Sequence, residues 1–291
     1  MLYQAPTRTL QRGQVLLVLV LIIALVITVL TSVSYRLTTE TQTTKSQGEN
    51  VQVLAAADSG IEKAISVISD PSSPSTGTFQ FNNATIGLTS LPGIDASRSR
   101  VIITNSVANE YVTAEVPQDD QYTFYVGNYP NFTSFYTGNL ILYYGSDGAG
   151  DCATPRSTPA LEVSIIYGAN GDQIERFLYE SCTSGMNIVG SYNTYKMAPD
   201  TVATTFGGIN FSYNTISKPL DISLYPSAKM VIVRTLFAKT RRGFSSGSAA
   251  QLPSQGKLIR SEAISKSGIS KVVTLKQSFP QIPADFFVTS F

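Results

Sequence analysis

Few residues in this chain have types and spacings that could do chemistry, and each is limited by what surrounds it. Gly243-Phe-Ser-Ser-Gly247 has the G-x-S-x-G spacing that can present a nucleophilic serine on a sharp strand-to-helix turn. The chain has no histidine, so Ser245 lacks an imidazole base. With Arg241-Arg242 before it, the segment reads as a polar surface turn. The same absence removes the common triads and most zinc sites. Asp119-Asp120 is an adjacent carboxylate pair. Neighbours on a strand point to opposite faces, so the pair reads as a solvated turn. Asp147-Gly-Ala-Gly-Asp151 could hold calcium through oxygen ligands, but a loop leading into Cys152 is the plainer reading. Neither a phosphate-binding G-x-x-x-x-G-K-[ST] loop nor a dinucleotide G-x-G-x-x-G fingerprint occurs. The expectation is a non-enzyme without cofactor or metal.

Cys152 and Cys182 are the only two cysteines. A metal site built on them would need histidines or further cysteines. A disulfide needs an oxidising compartment. Their chemistry therefore depends on which side of a membrane they occupy.

Residues 13–35 answer that question. The stretch carries no charge and lies between Arg12 and Arg36. Its centre, 15–30, is apolar except for Thr28. A bilayer core of about 30 Å is crossed by about 20 apolar helical residues. Arg8 and Arg12 precede the span, and the first acid is Glu40. The positive-inside rule then keeps the N-terminus in the cytoplasm and exports residues 36–291. Outside the membrane, Cys152 and Cys182 should pair. Closing a loop of about 30 residues would stabilise by about 3–4 kcal/mol in the chain-entropy account. A cleaved secretory signal, with Ser32-Val33-Ser34 as a weak cut site, and a plain uncleaved anchor are other readings of the same span.

The helical pattern continues past the membrane. No proline occurs between Thr7 and Asp70. Apolar residues recur at Val51, Leu54, Ile61, Ile65 and Ile68, with Asp58 in the vacant seam position, which predicts an amphipathic stripe facing a sheet. Pro71 ends the run. The threonine-rich piece 38–50, with Gly48, has low helix propensity and is the expected place for a bend or local melting. One helix of about 55 residues, about 80 Å long, is predicted.

The segment 10–27, Leu-Gln-Arg-Gly-Gln-Val-Leu-Leu-Val-Leu-Val-Leu-Ile-Ile-Ala-Leu-Val-Ile, is similar to the start of type IV pilins and type II secretion pseudopilins. Gln52-Val-Leu-Ala-Ala-Ala-Asp-Ser-Gly-Ile-Glu-Lys-Ala64 resembles the end of the long helix in PilX-type minor pilins. So do the tail pieces Gly256-Lys-Leu-Ile-Arg-Ser-Glu, Val272-Val-Thr-Leu-Lys and Phe279-Pro-Gln-Ile-Pro283. The likeness covers the first 70 residues well and the rest loosely.

The resemblance implies a basic leader, 1–13, cut after Gly13 by a prepilin peptidase to leave a methylated Gln14. The mature helix would wait in membrane lipid and then be lifted by an inner-membrane assembly platform. Val15, Leu16, Val18, Leu19, Leu21, Ile22, Leu25, Ile27 and Leu30 would pack against the same helices of other subunits. The protein would begin in the cytoplasmic membrane and end in an extracellular pilus serving adhesion, motility or DNA uptake. Most major pilins carry glutamate at the fifth mature position; here that position is Val18. This loss is typical of minor pilins thought to sit at a tip, and of tip pseudopilins of secretion systems. Gln14 itself stands where the family usually has phenylalanine. A single-span anchored binding protein that never assembles is the reading from another class.

Beyond Pro71 the period becomes alternating and rich in aromatic and β-branched residues. Strands are expected at 79–81, 100–104, 111–116, 122–126, 140–144, 160–167, 174–179, 208–213, 230–237, 257–261 and 271–276. The stretch 167–172 should be a hairpin turn. The fold class expected is α+β, with the long helix (14–70) packed on a mainly antiparallel β domain (71–291). Tyr129, Phe132, Phe135 and Tyr136 fall in a loop, where aromatics can mark a partner contact. Lys239-Thr-Arg-Arg242 is the densest basic run and reads as a solvated turn, with nucleic-acid contact the lesser reading. At 14% charged residues and net +1, the chain lacks the basic excess of a dedicated nucleic-acid binder.

Overall fold

The computed structural model describes residues 12–68, 76–81, 91–106, 109–146, 148, 150, 157–180, 182, 194–247 and 250–283, the side chains of 12–15 and 194–196 excepted. The fold is α+β: one long apolar N-terminal helix and a mainly antiparallel β domain. Contacts divide the chain into two compact units.

The first unit holds helix α1 (Arg12–Ile68), with Thr78–Val101 and Arg260–Val273. The helix is unbroken through the threonine-rich piece. The hydroxyls of Thr38, Thr39, Thr41 and Thr43 each donate to the carbonyl four residues back, at 2.7–2.8 Å. Each hydroxyl thus finds its acceptor on its own helix, on a backbone carbonyl that also serves the helical ladder.

The stripe that α1 buries differs from the predicted one. Val51 and Leu54 are 69% and 45% exposed, whereas Val53 is 1% exposed. The buried positions are Val53, Ala56, Ala57, Gly60, Ile61, Ala64 and Val67. They recur at spacings of three and four, rotated around the helix from the larger aliphatics; Ile65 and Ile68 are half-buried at the margin. The reason is distance. A Cβ placed on Gly60 would collide with Ser261 Oγ and lie 3.0 Å from Val101 and 3.2 Å from Phe81. The small residues Ala56, Ala57, Gly60 and Ala64 let the backbone come that close. Gly60→Leu is accordingly expected to cost about 1–3 kcal/mol or more through overpacking. The change should appear as a lower denaturation midpoint at constant slope. A midpoint equal to wild type would mean the helix does not seat as described. The upper end of this seat is pinned by Gln52, whose amide donates to Pro92 O, and by Ser267 Oγ, which donates to Glu49.

Strands β1 (Gly77–Gln80), β2 (Arg100–Asn105), β15 (Gly256–Ile264) and β16 (Ser270–Ser278) form one sheet in that order.

The second unit is built on two further sheets. One is ordered β4 (Gln121–Tyr125), β13 (Met230–Leu236), β6 (Ala160–Tyr167), β7 (Gln173–Tyr179), β8 (Thr194–Met197). All its pairs are antiparallel except the parallel β7–β8 pair. The other is ordered β11 (Tyr213–Asn214), β5 (Asn139–Tyr144), β14 (Gly243–Ser246), β3 (Glu110–Val112), with β12 (Leu220–Asp221) also on β5. A separate hairpin joins β9 (Thr204–Phe206) to β10 (Ile209–Phe211).

Period-two alternation sends Leu161, Val163 and Ile165 of β6, Val231 and Val233 of β13, and Leu140, Leu142 and Tyr144 of β5 into one shared core. Phe124 and Phe244 stack across it with ring centroids 4.3 Å apart and planes within 8°. The two inner faces thus form a sandwich-like core. The turn between β6 and β7 is the predicted one, with Gly168 and Gly171 both at positive φ.

Two expectations fail here. Gly243-Phe-Ser-Ser-Gly247 is no surface turn. Its first four residues are β14, paired on both sides, and Phe244 is fully buried. One large aromatic at an inward position outweighed the polar neighbours. The 111–116 strand is also shorter than expected, stopping at Val112, with a lone bridge from Val116 to Thr240.

The free border of β4 is closed by side chains. Gln255 accepts from Tyr125 N–H and donates to Tyr125 O, both at 2.8 Å. Gln281 accepts from Thr123 N–H at 2.7 Å, and Tyr125 Oη donates to Pro280 O. A primary amide carries one acceptor and two donors, so each glutamine imitates a neighbouring strand's peptide group. Gln255→Leu should leave the Tyr125 backbone unsatisfied at a cost of about 2 kcal/mol. Retained stability in urea titration would show that water replaces the amide.

Candidate functional site

Two features of the chain carry no structural duty within the fold. The first is the lower half of α1. From Leu16 to Gly48 every side chain is exposed. Leu16, Val18, Leu19, Leu21, Ile22, Leu25, Ile27 and Leu30 are among sixteen large apolar side chains there that nothing covers. They point in all directions around the helix. Such a surface is unfavourable in water and suits an apolar environment. The helix is long and apolar enough to cross a membrane. Its polar interruptions fit that environment: Thr28 and Thr31 donate their hydroxyls to Ala24 O and Ile27 O, leaving no unpaired donor. Gly13 and Gln14 lie in the first turn of α1, and Val15 follows them in the same helix.

The second feature is a cavity of about 300 Å³ in the second unit, beside the loop 128–136. Tyr129, Phe135, Tyr136 and Phe279 contribute its aromatic wall. The loop is held by its own first residue. Asn128 Oδ1 accepts from Ser134 N–H at 2.7 Å, Nδ2 donates to Thr133 Oγ1 at 3.0 Å, and Asn128 O accepts from Phe132 N–H at 2.8 Å. Tyr129 is packed between Tyr125 and Phe279, with centroids 4.9 and 4.8 Å away. Burial beside Tyr129 pushes the Tyr125 phenol up to about 12.

The expectation for this loop is met only in part. Tyr136 is buried, and its hydroxyl donates to Asn139 O and meets Ser246 Oγ, so it belongs to the core. Tyr129, Phe132 and Phe135 are half-buried rather than exposed. Phe132 faces the ring of Tyr125 and the ammonium of Lys229. Sequence reasoning missed Phe279 of the aromatic wall and the other wall of the cavity, Gln251 to Ser254 with Asn105. No local signal joins residues so far apart in the chain.

The remaining candidates are placed as follows. Asp119 and Asp120 sit in the turn before β4, where Asp120 Oδ1 accepts its neighbour's N–H. In the basic run, Lys239 pairs with Glu115 at 3.0 Å. Arg242 is buried, donating to Thr235 Oγ1 and Asp120 O, and burial presses its pKa down to about 9. A guanidinium inside the core is not a surface for nucleic acid, so the solvated-turn reading is corrected. Cys182 is buried and disulfide-bonded; Cys152 lies outside the described residues, as do Asp147 and Asp151 of the calcium reading.

No protein-family model matches the chain, and neither a curated protein nor a solved structure matches it.

Proposed function

We propose that the chain is a minor type IV pilin of the PilX type, a structural filament subunit rather than an enzyme. The observation carrying this reading is α1 itself. One unbroken helix is apolar all round in its first half and seated on its own domain through small residues in its second. A membrane anchor alone would not need to continue as the spine of the exported domain. Past the polar piece 38–50, Val51 and Leu54 are again exposed apolar side chains, outside the buried stripe. In this reading, a prepilin peptidase cuts after Gly13. Arg8 and Arg12 stay on the cytoplasmic side, and an inner-membrane platform extracts the helix into a bundle of sister helices. Val18 removes the carboxylate that would otherwise need a partner in that bundle, which suits a tip or priming position.

Mass spectrometry of the chain from native membranes tests the reading. The expected N-terminus is a methylated Gln14. A chain still beginning at Met1 would replace this reading with the simple anchor. That second reading has its own support in the cavity beside the 128–136 loop, because an anchored binding protein also needs a ligand pocket. A tip pseudopilin of a secretion system shares the processing and is separated by purifying the filament.

A further inference from the structure

We propose that the cavity beside the 128–136 loop is a binding site for a neutral saccharide, presented by the exported unit whether or not the chain assembles. Three observations lead there. First, among the described residues no charged side chain lines the cavity. The buried Lys257 gives its ammonium to Asn105 Oδ1 at 2.7 Å, and burial lowers its pKa. An ionic ligand would lose its hydration and find no counter-charge. Second, the walls are not apolar enough for a greasy ligand. Asn105, Ser134 and Gln251 line the space beside the rings. The Gln251 amide and Ser134 hydroxyl have no partner among the described residues, and a hydrocarbon would strip them of water without return. Third, the aromatic wall is already fixed. Tyr129 is wedged between two rings, and the loop beneath it is closed by Asn128.

A ligand that suits such walls is uncharged, carries several hydroxyls and has one face of C–H groups to lie on a ring. A pyranose has all three properties. The cavity volume is at the small end of ligand sites, which fits one or two sugar rings. Preorganised rings lower the entropic cost of capturing so small a ligand.

The test uses the full chain in lipid nanodiscs, because sugar-headed detergents would compete for the site. Saturation-transfer NMR is run with glucose, galactose, mannose, N-acetylglucosamine and their disaccharides, with N-acetylneuraminic acid as the charged comparison and decaproline as the peptide comparison. At least one neutral sugar should bind. Gln251→Ala and Ser134→Ala should each weaken it roughly fivefold, the loss of one hydrogen bond. Tyr129→Leu should abolish it. Gln251 and Ser134 are exposed, so their variants should keep the wild-type melting curve. Absence of neutral-sugar binding up to about 10 mM, where even very weak sites register, overturns the proposal. Equal binding of the charged sugar, binding of decaproline alone, or affinity unmoved by the three variants overturns it as well.

Discussion

On the proposed reading, Leu19→Arg should remove the chain from both membrane and filament. Leu19 lies inside the uncharged span and its side chain is exposed. A cation at the centre of a membrane helix costs about 2.5–3.5 kcal/mol on insertion scales, an upper bound for Leu19, which lies off the centre of 13–35. In a bundle of apolar helices the same charge would be buried without a partner. Carbonate-washed membranes and sheared surface filaments should both lose the variant. Thr41→Arg makes a fair control: it adds the same charge on an exposed turn beyond the span and should behave as wild type. Normal amounts of the Leu19→Arg chain in sheared filaments would end the helix-bundle mechanism. Normal insertion with absence from filaments would locate the defect in assembly.

Phe244→Ala should be the most damaging single change in the β domain, at about 3–5 kcal/mol. The ring is fully buried at the centre of β14, stacked on Phe124 and 5.7 Å from Tyr122. Its removal leaves a cavity where the two inner sheet faces meet, and the flanking strands cannot close it without breaking register. The neighbouring change Ser245→Ala, on the opposite face of the strand, should stay within about 0.5 kcal/mol. Combining Phe244→Ala with Phe124→Ala should show coupling of about 0.5–1.5 kcal/mol, the worth of an aromatic pair beyond its buried area. Strictly additive losses would mean that the stacked geometry contributes nothing of its own.

These two residues also show where the sequence was legible. The span around Leu19 announces itself through composition alone, because twenty residues without charge have few interpretations. Long alternating strands were equally open: β6 was expected at 160–167 and lies at Ala160–Tyr167, and β13 was expected at 230–237 and lies at Met230–Leu236. Phe244 was hidden because its strand is short and its flanks are glycine and serine, which read as a turn until a partner sheet is present.

The helix stripe was misread for a related reason. Periodicity favours the heaviest residues, so Val51 and Leu54 outweighed Ala57, Gly60 and Ala64. The sheet selects for closeness of approach instead, and that demand is invisible until the opposing surface is known. Of the candidate site, the loop aromatics could be found as a cluster. The opposite wall at Gln251 to Ser254 could not, because only the fold brings it there. Arg242 was the clearest misreading. A run of basic residues looks solvated in one dimension, while alternation along the chain sends one of its members inward.

The glutamine pair at positions 255 and 281 bears on life at high density. A chain tethered by one helix, whether in a bilayer or in a filament, meets its neighbours side by side at concentrations no free protein reaches. Sheet borders with open peptide groups would then zip together into fibres. Here that border is already occupied by two amide side chains of the same polypeptide, so neighbours can stand shoulder to shoulder without fusing along it.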